Sequence, residues 1–165
     1  MTSIVIPTAQ ERYHALAQES LVTIASLAPN QVAQRYYEAL TQKFDQLAAN
    51  RADIAQFFSA AMQDETPRGV FKDDAMREVF DDVVRRATDA PTKPDDFNGL
   101  SHLLYALYLL CVLFWLYDRT PSHKATAQLL DFMREMIRML RPMMMMPLFT
   151  KAMLKMTTIM EMVFE

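Results

Sequence analysis

A chain of 165 residues is long enough for one domain with a sizeable core and too short for two comfortable ones. It is 52% hydrophobic but has only 2 Gly and 8 Pro, which argues against disorder and against β architectures, whose hairpin turns lean on glycine. A net charge of −3 and a pI of about 5.6 exclude a general attraction to phosphate, though not a local basic patch.

The N-terminus, MTSIVIPTAQER, has neither a basic start nor a long apolar core, so no signal peptide is expected, and Met1 reads as the native start. Thr8-Ala9-Gln10-Glu11 is a capping box, and the helix it opens carries Tyr13, Leu16, Ala17, Leu21, Ile24 and Ala28 at helical spacing up to Pro29. A second helix is predicted from about Asn30, with Ala33, Tyr36, Tyr37, Leu40, Phe44 and Leu47 on one face. After a break at Asn50 to Asp53 a short helix holds Ile54, Phe57, Phe58, Ala61 and Met62. The breaker-rich loop Asp64-Glu65-Thr66-Pro67-Arg68-Gly69 follows.

The helix after Asp73 is the cleanest amphipath. Met76, Val79, Phe80, Val83 and Val84 line one side, and Arg77, Glu78, Asp81, Asp82, Arg85 and Arg86 the other. Asp89 to Asp96, with Pro91 and Pro94, reads as the longest linker. Leu103 to Tyr117 then runs 15 residues without a charge, LLYALYLLCVLFWLY. Such a helix spans roughly 22 Å, short of a hydrocarbon core of about 30 Å, and polar groups flank it on both sides. A helix apolar all round is instead expected to be buried on several sides, inside a bundle or between subunits. Cys111 lies in this run, so the single cysteine reads as a buried packing thiol in a reducing, cytoplasmic setting. It excludes an internal disulfide framework and any cysteine-cluster metal site.

Thr120-Pro121 marks a helix start, and Ala125, Leu129, Phe132, Met133, Met136 and Leu140 follow at helical spacing as far as Pro142. Met143 to Met146 are four methionines between two prolines. A last helix from Leu148 to about Phe164 holds Phe149, Ala152, Met153, Met156, Ile159, Met160 and Val163. The prediction is one all-α domain over 1–165 with about seven helices: an N-terminal helix at 8–28, a core at 30–142 and a Met-rich C-terminal helix at 147–165.

Two stretches resemble the C-terminal half of TetR-family transcriptional regulators. Arg35-Tyr36-Tyr37-Glu38-Ala39-Leu40, continuing to Phe44-Asp45-Gln46-Leu47, is similar to the helix that enters the sensor domain. Leu113-Phe114-Trp115-Leu116-Tyr117-Asp118-Arg119-Thr120-Pro121 resembles the joint W-L-x-D-x-[ST]-P between two long helices. With the helix count, the likeness covers roughly residues 30 to 142. It implies a helical bundle of the TetR C-terminal type that binds a small hydrophobic ligand. It also implies that Leu100–Tyr117 and Pro121–Leu140 pair with their copies in a homodimer. Leu109, Val112, Leu113 and Leu116 of the first helix and Leu129, Phe132, Met133 and Met136 of the second would then form the interface. A two-fold dimer independently answers the need of an all-apolar helix for cover.

A TetR-type DNA-binding head needs about three helices with a helix-turn-helix. Only about 30 residues precede the matching helix, no glycine occurs before Gly69, and residues 8–28 hold a single Arg and no Lys. Direct operator binding is therefore not expected.

The same resemblance makes Phe57, Phe58, Met62, Phe80, Tyr105 and Tyr108 candidate lining residues of a ligand cavity, with His102 as a polar anchor. Aromatics and methionines at helical spacing are also what a plain core looks like, and a histidine opening an apolar helix is also a hydrogen-bonded structural group. His14, His102 and His123 are scattered, no Glu-x-x-His pair supports a di-metal bundle, and Gly69 and Gly99 make no phosphate loop, so neither cofactor nor metal nor enzymatic activity is expected. Nine of the 14 methionines lie from Met139 onward. Such a flexible, polarizable surface suits either docking on its own domain or an external partner, and Lys151 and Lys155 would flank a membrane-surface face. A membrane partner is the less expected of these.

Overall fold

A computed structural model of the chain describes residues 9–63 and 74–164. These residues form an all-helical fold without strands: α1 (Ala9–Ala25), α2 (Val32–Ala48), α3 (Arg51–Gln63), α4 (Asp74–Arg85), α5 (Pro94–Tyr117), α6 (Lys124–Leu140) and α7 (Pro147–Phe164). Single 3-10 turns at Pro121–His123 and Met143–Met145 precede α6 and α7. The cap at Thr8 and the loop at 64–69 lie outside the described residues. Helix α4 packs against both α1 and α5, α2 lies against α6 and α4, and α7 runs along α5. The core sits where these helices meet.

The amphipathic face read in α4 is the buried one, with Met76, Val79, Phe80, Val83 and Val84 fully enclosed. Asp82 departs from the expected polar side. It is largely buried, and one carboxylate oxygen lies 2.9 Å from the Arg86 Nε. Helix α5 is covered in part by α4, α6 and α7, while its Leu110, Phe114 and Tyr117 stay exposed. By length and composition it is also the one helix among the described residues that is apolar enough to cross a bilayer, with 56% of its most apolar window buried. It is longer than its apolar run because Pro94 occupies a first-turn position and Asp95 and Asp96 sit near the positive helix end. The expected linker at 89–96 is shortened accordingly.

Two helix ends are set by distant side chains. Helix α1 stops at Ala25 rather than at Pro29. The Leu27 and Ala28 carbonyls, each 3.0 Å away, accept from Nη1 of Arg35. The same fully buried guanidinium donates to the Val83 carbonyl (3.0 Å) and reaches that of Asp82 (3.5 Å), so one side chain ties off α1 and α4 together. Burial lowers the Arg35 pKa from its ordinary value, with the Asp82 charge opposing the shift. At the start of α2, the Val32 N–H donates to the Asp89 carboxylate (2.7 Å), a cap contributed from 57 residues away.

The α5–α6 joint explains its own sequence. Asp118 accepts from the backbone N–H and hydroxyl of Thr120 (2.8 and 2.7 Å) on one oxygen. Its other oxygen accepts from the N–H and hydroxyl of Thr126 (2.8 and 2.6 Å). Arg51, at the start of α3, donates to the Trp115, Leu116 and Asp118 carbonyls and lies 5.0 Å from the Trp115 ring centroid. Helix α6 begins at Lys124 rather than at Pro121, because Ser122 and His123 both adopt left-handed backbone at φ 52°. Without glycine this conformation costs roughly 1–2 kcal/mol per residue. The His123 ring, 3.0 Å from Arg51 and tilted against Trp115, helps to hold it.

The Thr120 and then the Thr126 side-chain bonds hold the Asp118 carboxyl well below the usual carboxylate range. A depressed folded-state pKa stabilises the fold above the unfolded value, and the contribution is lost as pH falls below about 4. In urea titrations Asp118→Asn should therefore be less stable than the wild type at pH 6, with the gap narrowing at pH 3. A gap that stays constant with pH would contradict this account.

Candidate ligand-binding core

Five of the aromatic residues singled out from the sequence come together inside the chain. Phe57 and Phe58 on α3, Phe80 on α4, and Tyr105 and Tyr108 on α5 are all buried. They form two ring clusters. In the first, Tyr13 of α1 stacks on Phe57 at 4.5 Å, and Phe58 meets both edge-on at 6.2 and 5.7 Å. In the second, Phe80 is central, 5.2 Å from Tyr108, 5.8 Å from Tyr105 and 6.0 Å from Tyr36. The Tyr13 and Tyr108 hydroxyls, 3.4 Å apart, bridge the two. Offset and tilted contacts at these distances match the ring quadrupoles.

The polar members of this core were not expected from the sequence. Lys43 on α2 is 2% exposed; its Nζ donates to the Ser20 hydroxyl at 2.7 Å and lies 5.5 Å from the Tyr108 ring centroid. Ser20 in turn donates to the Leu16 carbonyl at 2.6 Å, and Gln46 approaches it at 3.2 Å. Across the core the Tyr36 hydroxyl donates to the Leu104 carbonyl at 3.1 Å, and burial raises its pKa well above the ordinary value. The signal for Lys43 was available: it falls on the α2 stripe Ala39, Lys43, Leu47, spaced by four residues with apolar neighbours. An ammonium in that stripe is costly to bury unless hydrogen bonds and a ring face receive it.

A serine hydroxyl close to a lysine amine is also the pairing of a Ser–Lys hydrolase. Here the serine proton goes to the carbonyl one turn back, and both side chains are 2% exposed. That is the arrangement of a helix-bound structural hydroxyl. Cys111 is buried as well, and burial pushes its thiol up to about 12, as for a packing group in an apolar helix.

The remaining candidates are placed differently. His102 is half-exposed, and its Nδ1–H donates to the Asn98 carbonyl one turn earlier, at 2.7 Å. Met62 is on α3, but its side chain lies outside the described residues. No group of three or more His, Cys, Asp or Glu among the described residues is arranged to hold a metal ion.

The residues proposed for a subunit interface divide into two sets. Leu109, Val112 and Met133 are buried in the chain's own core, while Leu113, Leu116, Leu129 and Met136 are half-buried. Phe132 is 58% exposed and is joined by Met139 on α6 and by Leu110, Phe114 and Tyr117 on α5. On α6 the residues Ala125, Leu129, Phe132, Met136 and Met139 alternate by four and three, the spacing of a helix-pairing seam. The inward seam Thr126, Leu130, Met133 and Ile137 has the same spacing and is buried.

Comparison with models of protein families, with curated proteins and with solved structures finds no match.

Proposed function

We propose that the chain is a regulatory domain of the TetR sensor type. It binds a small hydrophobic or amphipathic ligand in the core between α1 and α5 and works as a cytoplasmic homodimer, without contacting DNA or catalysing a reaction. The observation that carries this reading is an aromatic core with built-in polar handles. Apolar walls plus a few fixed polar groups are what a small-molecule site needs, and Lys43, Ser20 and the Tyr13–Tyr108 hydroxyl pair supply those groups beside Phe57, Phe58 and Phe80. The outward seam on α6 supports the dimer, since a solvent-facing Phe132 and Met139 at pairing spacing leave apolar surface for a second copy to cover.

A thermal-shift screen with lipids, drugs and aromatic acids tests the ligand half. A ligand at 100 times its Kd stabilises by about 2.7 kcal/mol, and Tyr108→Phe, which removes only a hydroxyl, should weaken the response. No response anywhere in the panel, or a response indifferent to Tyr108→Phe, would sink it. Sedimentation velocity at micromolar concentration tests the other half: the wild type should sediment as a dimer and Phe132→Asp as a monomer.

A second reading is favoured by the exposure of Met143, Met146, Leu148, Ile159 and Met162, with Lys151 and Lys155 also exposed on α7. Such a surface suits a helical module that docks on a protein partner or a lipid surface. Co-sedimentation with anionic vesicles would support it over the sensor reading.

A further inference from the structure

A cleft of roughly 440 Å³ opens where the start of α2, the segment between α4 and α5, and the end of α6 converge. Its walls include Ala33, Ala90, Pro91 and Pro142, and its polar groups are Gln31, Asp89, Thr92, Arg138 and Arg141. This place is far from the aromatic core in composition and belongs to none of the residues discussed for ligand binding above. It is held open by a rigid frame. Asp89 caps α2 through the Val32 N–H, and its backbone carbonyl accepts from Nη2 of Arg141. The Arg141 Nε also lies 3.5 Å from the Asp89 carboxylate, and the Thr88 N–H donates to the Asn30 carbonyl at 2.9 Å.

The two arginines play different parts. Arg141 is held against Asp89 by this ion pair and by its Nη2 bond, with a buried Nε that makes no hydrogen bond, and its side chain is only 13% exposed, so it neutralises the acid and fixes the wall. Arg138 is 52% exposed and pairs with Glu135 of its own helix, itself half-exposed, at 3.2 Å. An exposed pair of this kind is weak and exchangeable. Arg138 can therefore turn its guanidinium to an anion in the cleft at little loss, and a planar fork suits a carboxylate.

We infer that this cleft is a second binding site, for a small monoanionic carboxylate with a short apolar body such as an aryl or short acyl acid. Arg138 receives the carboxylate, Thr92 adds a polar group to the lining, and the prolines and alanines pack the apolar part. A dianion is disfavoured, because Arg138 is the one cation in the wall whose partner is exposed and exchangeable. The cleft is independent of the core site: either can exist without the other.

The test is a protein-detected NMR titration of the full chain with benzoate, benzamide and inorganic phosphate. Saturable benzoate shifts should centre on the amides of Ala33, Ala90 and Thr92. Benzamide, the neutral isostere, should bind about ten-fold more weakly, and Arg138→Gln should weaken benzoate by a similar factor without unfolding an exposed position. Equal binding of benzoate and benzamide, tighter binding of phosphate, or unchanged binding to Arg138→Gln would each overturn the inference. Benzoate shifts centred on Phe80 and Tyr108 would also overturn it, and would leave the core reading standing.

Discussion

Arg35→Met should destabilise the fold by about 3–5 kcal/mol, a large part of the roughly 5–15 kcal/mol that holds a domain together. The methionine fills most of the arginine's volume but offers no donors. The carbonyls of Leu27, Ala28 and Val83 then lose their shared partner in a place from which water is largely excluded, while that of Asp82 keeps the Arg86 N–H at 3.2 Å. An orphaned buried acceptor costs about 1–3 kcal/mol, partly offset here because a charge no longer has to be desolvated. The damage should also be local. Hydrogen exchange should accelerate in the last turns of α1 and α4, the two helices tied off by this guanidinium, and change little in α7. Uniform acceleration throughout the chain would show that Arg35 acts by bulk packing instead. Arg35→Lys should fall between the two, because one ammonium cannot span carbonyls on both helices.

Phe80→Ala carries the other large expected effect. The ring is fully buried and touches Tyr36, Tyr105 and Tyr108, so truncation removes its transfer energy and leaves a cavity among three rings. The expected loss is about 3–5 kcal/mol, which for a chain of this size is a fall in Tm of roughly 6–20 °C. Differential scanning calorimetry would measure it. A small loss would mean that the tyrosines close over the gap, and would argue for an aromatic core that is plastic rather than close-packed. An apolar cavity of this kind also takes up small aromatic molecules. Benzene should therefore recover part of the loss in the variant, stabilising it more than it does the wild type.

Much of the fold could be read in advance, because periodicity reports which face of a helix is apolar. Helix α4 shows this well: five apolar residues at helical spacing predicted the face that is buried. What periodicity does not report is which of two apolar faces turns inward. Helix α6 carries two seams one residue apart, both with the same four–three spacing, so Met133 and Phe132 look alike in sequence. In the fold, one is buried and the other is 58% exposed. Assigning interface residues by helix rather than by face therefore mixed the two. The joint shows a different limit. Thr120-Pro121 correctly marks a turn, but α6 starts only after Ser122 and His123 have turned left-handed, where the His123 ring meets Arg51, a partner 72 residues away that a local reading does not see. The aromatic half of the candidate core was visible as helical spacing. Of its polar half, Lys43 stood out in the α2 stripe, but its pairing with Ser20 did not, because the two are 23 residues apart and meet only when α1 packs on α2.

The Arg51–Trp115–His123 arrangement also has an optical consequence. Trp115 is the only tryptophan in the chain, and it is 2% exposed, with a guanidinium over its ring and an imidazole beside it. The tryptophan emission of the protein therefore comes from one spot, the corner where α3 braces the turn from α5 into α6. Any event that shifts α6 relative to α5, whether a partner pressing on the outward seam or a ligand settling beneath Arg138, changes the surroundings of that single indole. The molecule carries its own fluorophore at the joint between two helices with exposed apolar residues.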